Sequence, residues 1–292
     1  MRTDEIKIIT LGPEGTFSHQ AAAKVKSLMH EKGKKLEINF SSTINSLFKI
    51  PEDESIIIVA PLENSEAGTI GKTVDQLAKN PESNIQIVLE LEQLIEHHLA
   101  GFGSIAEVET VYAHPQAQFQ SEEFLVKHLP DAEIQHTTSN SKSAVLLAET
   151  KSSKYAAIVP FIASSIHSLP IIHSNIQNSN NNTTRFVVLT KNNSLKESFN
   201  QFTKSKLSII VDPQMNYPGL LFEILEVFAE ENINLSRIES RPSKRKLGDY
   251  VFHIDIEISN SFENILGCLD LLEKKFSIIN LGAYCNLNEV SK

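Results

Sequence analysis

An α/β fold followed by a smaller βαββαβ unit is the architecture this chain predicts, on three observations. Up to about residue 190, short β-branched runs alternate with segments of helical period, the pattern of a sheet with crossover helices. Residues 191–206 are polar, rich in Asn, Ser and Lys, and carry no apolar period. Beyond them the order contracts to strand, helix, strand, strand, helix, strand, that of a ferredoxin-like unit. With 292 residues the chain exceeds one ordinary core, because domains run to roughly 100–200 residues. We therefore expect domains at 6–190 and 207–287, joined by a linker at 191–206.

The first strand, 7–11, is Lys-Ile-Ile-Thr-Leu and stops at Gly12-Pro13. Helical spacing of apolar residues follows over 19–30, then a short strand at 36–40 and a helix at 44–49. The run Ile56-Ile57-Ile58-Val59-Ala60 reads as a buried strand and 70–79 as a helix. Strands are expected at 85–91, 108–113, 133–137, 155–159 and 186–190, and helices at 117–128, 141–149 and 161–168. Residues 84–98 are the least regular and read as a crossover between two lobes, each with its own sheet. In the C-terminal unit, strands are expected at 207–211, 233–240, 250–258 and 278–284, with helices at 220–231 and 262–275. An open sheet of this kind usually needs a partner surface, so dimerisation through it is expected.

Composition removes several function classes. Apolar residues make up 41% and charged residues 22%, which is globular, and the net charge of -9 argues against nucleic acid or an anionic membrane as partner. Cys268 and Cys285 are too few for a disulfide framework and read as small core residues in a reducing compartment. Met1 to Glu5 lead straight into the first strand, without the apolar run of a signal peptide or membrane span, so a cytoplasmic protein is expected. The sequons at Asn181, Asn182 and Asn192 then carry no glycosylation meaning.

Chemistry concentrates in Asn181-Asn182-Thr183-Thr184-Arg185-Phe186. Hydroxyls, amides and one guanidinium stand together with no His, Cys, Asp or Glu. Such a set suits hydrogen-bond donation and the clamping of a carboxylate, and suits neither strong-base acyl transfer nor a transition metal. The same residues also read as an ordinary turn before a strand, with Arg185 solvated or ion-paired. Three further loops place small or polar residues between a strand end and a helix start: Gly12-Pro13-Glu14-Gly15-Thr16-Phe17-Ser18, the stretch from Pro61 to Thr69, and Thr138-Ser139-Asn140-Ser141-Lys142-Ser143. Exposed N–H groups at helix starts favour anions, although plain helix capping also accounts for every Ser and Thr in them. A fourth loop, His114-Pro115-Gln116, offers Gln116 as donor and acceptor. The pair His97-His98 points its side chains apart and lacks a third ligand at metal spacing.

Taken together these loops resemble the prephenate dehydratase family. The matching pieces are Gly12 to Ser18, Pro61-Leu62-Glu63-Asn64-Ser65, His114-Pro115-Gln116, Ser143-Ala144, Ala156-Ala157-Ile158 and Asn182-Thr183-Thr184-Arg185-Phe186, which span nearly the whole first domain. The C-terminal unit resembles the ACT regulatory module through Pro218-Gly219-Leu220-Leu221 and Glu239-Ser240-Arg241-Pro242. The resemblance implies a catalytic domain of two α/β lobes, similar to periplasmic binding proteins, with the active site in the cleft. It implies conversion of prephenate into phenylpyruvate, water and carbon dioxide, with no cofactor and no metal.

Carried over by motif, Thr184 is the essential residue and hydrogen-bonds the leaving hydroxyl. Arg185 is expected on a substrate carboxylate, and Phe186 lining the ring pocket and fixing the strand. Asn64, Ser65 and Gln116 are expected on polar substrate groups, and Thr16 beside backbone N–H donors around Gly15. Gly219, Leu220, Glu239, Ser240, Arg241 and Pro242 are the implied effector site for phenylalanine, in a homodimer or homotetramer. Two positions depart from the family pattern: Leu220 stands where a small residue is common, and Asn178 where an Asp is frequent. Arogenate dehydratase activity and a non-catalytic amino-acid sensor are the competing functions; the intact Thr184-Arg185-Phe186 counts against the sensor.

Overall fold

The computed structural model describes residues 5–30, 35–49, 55–79, 84–258 and 262–290; the reading of residues 1–4 lies outside them. The chain begins β1 (Ile6–Leu11), α1 (Phe17–His30), β2 (Leu36–Ser41), α2 (Ile44–Leu47), β3 (Ile56–Asn64), β4 (Gly68–Thr69), α3 (Gly71–Ala78), β5 (Gln86–Leu94) and β6 (His98–Gly101). It continues β7 (Thr110–Ala113), α4 (Pro115–Phe119), α5 (Glu122–His128), β8 (Glu133–His136), α6 (Asn140–Thr150), β9 (Tyr155–Val159), α7 (Phe161–Ile166), β10 (Ile171–His173) and β11 (Thr183–Thr190). Last come α8 (Asn193–Ser198), β12 (Lys206–Asp212), α9 (Leu220–Glu230), β13 (Leu235–Pro242), β14 (Tyr250–Glu257), α10 (Phe262–Glu273), β15 (Ser277–Asn286) and α11 (Leu287–Val290). The expected α/β class and the C-terminal βαββαβ order are both present.

Two compact units result. One is Met1–Leu47, Asn64–Ala67 and Gln93–Thr184; the other is Phe48–Glu63, Gly68–Glu92 and Arg185–Lys292. In the first, β1 and β2 pair in parallel, and a five-stranded sheet has the order β10-β6-β9-β7-β8. Strand alternation divides that sheet's core in two. On β9, Ala156 and Ile158 pack with Val111, Leu125 and Leu129, whereas Ala157 and Val159 pack with Tyr112, Leu147 and Ala163. Both faces are therefore covered by helices.

In the second unit the strand order is β13-β14-β12-β15-β5-β11-β3, with β4 on β3. The order β13-β14-β12-β15 is that of a ferredoxin-like sheet, and α9 and α10 cover it with Leu220, Ile224, Phe228, Ile265 and Leu269. Its last strand passes beyond this module, because Cys285 and Asn286 of β15 pair in parallel with Leu89 and Glu90 of β5. At the close approach of these two strands stands Gly282, with φ +101°. Cys268 and Cys285 are buried.

Several elements differ from expectation. β3 runs on through Pro61-Leu62-Glu63 to Asn64, and β11 starts at Thr183, so both sequence-predicted loops are partly strand. The irregular stretch 84–98 holds β5 and the start of β6. The expected helix 117–128 is two helices, and 191–206 contains α8, whose cap Asn192 accepts from the Leu195 N–H at 3.0 Å. No helix among the described residues is long and apolar enough to cross a membrane.

Candidate active site

Thr184 lies near the start of β11 and is 8% exposed. β-branched Thr183 and Thr184 favour extended backbone, which is why the strand begins inside the polar run. The turn after β3 is clasped to it. Ser65 N–H donates to the Thr183 carbonyl at 2.9 Å, and Ser65 Oγ accepts from the Thr183 N–H at 3.0 Å. Ser65 Oγ also donates to the Asn181 carbonyl at 3.3 Å. Beside it, Asn64 Nδ2 donates to Asn182 Oδ1 at 2.7 Å and to Thr184 Oγ1 at 3.0 Å. Asn64 Oδ1 accepts from the backbone N–H groups of Glu66 (3.1 Å) and Ala67 (2.8 Å).

The adjacent Asn64 and Ser65 thus form one hydrogen-bonded cluster with the strand start that carries Thr184, more than a hundred residues later, and it includes Asn182, to which the sequence assigns no role. The same turn reaches the end of α4, since Gln120 Nε2 donates to Glu66 Oε2 at 3.4 Å while Gln120 Oε1 meets His97 Nε2 at 2.9 Å. His97 is buried, and burial pushes its pKa below the ordinary imidazole value. The sequence does not show that Glu66, His97 and Gln120 belong together, because the residues in these contacts lie 23 and 54 positions apart.

The other candidates are differently placed. Thr16 gives its hydroxyl proton to the Pro13 carbonyl at 3.0 Å and accepts from His19 N–H at 3.4 Å, a helix-capping arrangement. Gly15, at φ +85°, gives its N–H to His19 Nδ1 at 3.1 Å, and a Cβ there would stand 3.1 Å from Ser141 Oγ. Gln116 is exposed in the first turn of α4. Among the described residues no hydrogen bond ties Thr16 or Gln116 to the Thr184 cluster. Ser139 caps α6 by accepting from Lys142 N–H at 3.0 Å. Asn178 accepts from Glu123 N–H at 3.1 Å and donates to the Phe119 carbonyl at 3.1 Å, holding the break between α4 and α5.

Arg185 requires a correction. Expected on a substrate carboxylate, its donors go to protein groups instead: Nε to Glu90 at 2.7 Å, Nη1 to Asp255 at 2.6 Å and Nη2 to the Tyr284 hydroxyl at 3.0 Å. The guanidinium is 12% exposed, while Glu90 and Asp255 are fully buried. Burial opposes its charge, but Asp255, Tyr284 and Glu90 outweigh that and raise its pKa above the ordinary value. Lys206 Nζ completes the charge balance on Glu90 at 2.6 Å, and Ser208 donates to Asp255 at 2.5 Å. Burial alone would raise the Asp255 pKa, yet His253, Arg185 and the Ser208 hydrogen bond hold it down to about 2. Phe186, expected against a substrate ring, is a wholly buried core residue of β11.

In the C-terminal module, Gly219 takes φ +90° as the cap of α9, a conformation that disfavours any residue with a Cβ. Leu220 is buried beneath it in the module's core. On β13, Glu239 accepts from Thr69 Oγ1 at 2.9 Å, and Arg241 pairs with Asp75 of α3 at 3.2 Å, where Lys244 also binds. Ser240 and Pro242 are exposed.

The prephenate dehydratase family model matches residues 8–194, and the ACT domain model matches 215–270. This chain belongs to the prephenate dehydratase family. The family's curated members include the prephenate dehydratase of Methanocaldococcus jannaschii, 35% identical over 92% of this chain and 94% of its own length. Among solved structures, the prephenate dehydratase of Arthrobacter aurescens in complex with L-Phe superposes with a TM-score of 0.82 at 27% identity, covering 97% of this chain and 91% of that one. The Staphylococcus aureus enzyme gives 0.78 at 28% identity, covering 96% and 100%. In this family the chain is of the form that carries a C-terminal ACT domain.

Proposed function

We propose that the chain is a carbon–oxygen lyase converting prephenate into phenylpyruvate, carbon dioxide and water in phenylalanine biosynthesis. The observation that carries this is the Thr184 hydroxyl, held by Asn64 in a cluster of amides and hydroxyls. As the ring carboxylate leaves as carbon dioxide, its bonding electrons enter the ring and the C–O bond at the opposite carbon breaks. The departing hydroxide becomes water on receiving a proton, and aromatisation supplies the driving force. The protein's work is to position the dianion and place a donor at the leaving oxygen. Thr184 donates a hydrogen bond to that oxygen, the proton that completes the water comes from solvent, and Thr16, Ser65 and Gln116 bind polar parts of the substrate. Arg185 and Phe186 fix the strand that carries Thr184.

The catalytic domain extends over 6–190 and the ACT domain over 207–287, joined by 191–206. Phenylalanine, seen bound in the Arthrobacter aurescens relative, is the effector. Gly219, Leu220 and the Glu239 to Pro242 strand hold it, in a cytoplasmic homodimer or homotetramer. Incubating purified protein with prephenate and following phenylpyruvate tests the reading. Turnover is expected without added metal or nucleotide, to fall about 100-fold or more in Thr184→Ala and to decline when phenylalanine is titrated in. Full turnover by Thr184→Ala would sink the catalytic assignment, and indifference to phenylalanine the regulatory one.

A further inference from the structure

We infer that Asn64 is a positioning residue which sets the direction in which the Thr184 hydroxyl donates its hydrogen bond. This rests on the prephenate dehydratase reading of Thr184 and deepens it. An amide side chain has one accepting and one donating end, and its orientation follows from its partners. Asn64 Oδ1 receives two backbone N–H groups, those of Glu66 at 3.1 Å and Ala67 at 2.8 Å. A flipped amide would turn its NH2 against both donors, so the orientation is settled by the turn itself. Nδ2 therefore faces Asn182 Oδ1 at 2.7 Å, Thr184 Oγ1 at 3.0 Å and, at a longer 3.3 Å, the Thr183 carbonyl, so its two hydrogens serve the two shorter contacts best.

For Thr184 the consequence has a sign. Its oxygen accepts from Asn64, so its own hydrogen points elsewhere. Among the described residues no protein acceptor takes that hydrogen, and it is left for the substrate's leaving hydroxyl. Donation into Oγ1 also polarises the O–H bond, because hydrogen bonds in a chain strengthen one another. Asn182, almost fully buried, serves as the second anchor that keeps the amide from swinging away. Asn64 thus acts through Thr184, not on substrate polar groups.

Asn64→Asp tests this with a side chain of the same shape. Ionised, the introduced carboxylate has no hydrogen to give and would itself accept a hydrogen bond from the Thr184 hydroxyl. Protonated, the acid donates again. The expected result, against wild type on prephenate, is a kcat lowered about 100-fold near pH 8 with KM within about threefold. The variant-to-wild-type kcat ratio should climb as the pH is lowered toward about 5.5, with the uncatalysed rate subtracted. Asn64→Ala, which adds no buried charge, should show the same loss in kcat without the climb, and serves if the Asp variant does not fold. A loss confined to KM would overturn the inference and return Asn64 to substrate binding, as would an Asp variant whose ratio is flat with pH. Absence of turnover in the wild type would instead overturn the functional reading beneath it.

Discussion

Arg185 and Thr184 are neighbours on one strand, so their side chains leave it on opposite faces. The motif that looks like a single polar cluster therefore serves two purposes: Thr184 joins Asn64 and Asn182, while Arg185 joins Glu90, Asp255 and Tyr284. The sequence made the hydroxyl legible because the motif is local. It hid the fate of the guanidinium because its acidic partners lie 95 residues before and 70 residues after it. Asn64 was visible as a polar residue, but its direction of donation came only from the Glu66 and Ala67 N–H groups. Removing Arg185 leaves two fully buried carboxylates without their shared cation. Arg185→Met is expected to lower unfolding stability by about 3–5 kcal/mol, measured by urea denaturation.

At the level of elements, strands with β-branched runs were readable, β5 among them at 85–91 although Glu90 stands in its buried middle. β6, a four-residue strand beginning at His98, shows no such run and was not. The helix expected at 117–128 is broken because Asn178, more than fifty residues away, takes up the Glu123 N–H and the Phe119 carbonyl. The polar stretch after β11 hid α8, where only Leu195 and the flanking Phe199 are buried. Gly282 is a constraint that only the assembled sheet imposes. A Cβ there would lie 2.9 Å from the Ile87 carbonyl oxygen of β5, at a φ of +101°. Backbone cannot yield as a flexible side chain does, so Gly282→Ala is expected to destabilise by about 2–4 kcal/mol. A fall in thermal midpoint of several degrees would register it, and an unchanged midpoint would contradict it.

For the molecule as a whole, the buried charges predict how folding stability depends on pH. Arg237 Nη1 donates to His253 Nδ1 at 2.7 Å, which requires a lone pair there and so a neutral ring. Burial, only partly offset by Asp255 and reinforced by Arg237 and Arg185, depresses the His253 pKa to about 4. An unfolded chain takes up a proton on this imidazole below about pH 6.5, whereas the folded one refuses it until about pH 4. Stability is thus complete above that range and drains as the pH falls through it, by about 3 kcal/mol. Asp255, held at about 2, adds a further loss as the pH drops below about 4. Urea titrations from about pH 8 to about pH 4 should show a slope that is shallower in His253→Asn than in wild type, the remainder coming from other buried imidazoles such as His97. The same slope in the variant would assign it to other groups.

The pairing of Cys285 and Asn286 with Leu89 and Glu90 joins the C-terminal module to the strand beside β11 by backbone hydrogen bonding. A chain cut before β12 would bare the peptide groups of β5 along that stretch, together with the Glu90 carboxylate that Lys206 and Asn286 otherwise satisfy. An uncovered strand edge of this kind recruits other chains. The C-terminal module therefore keeps the rest of the molecule from pairing with its own copies through β5.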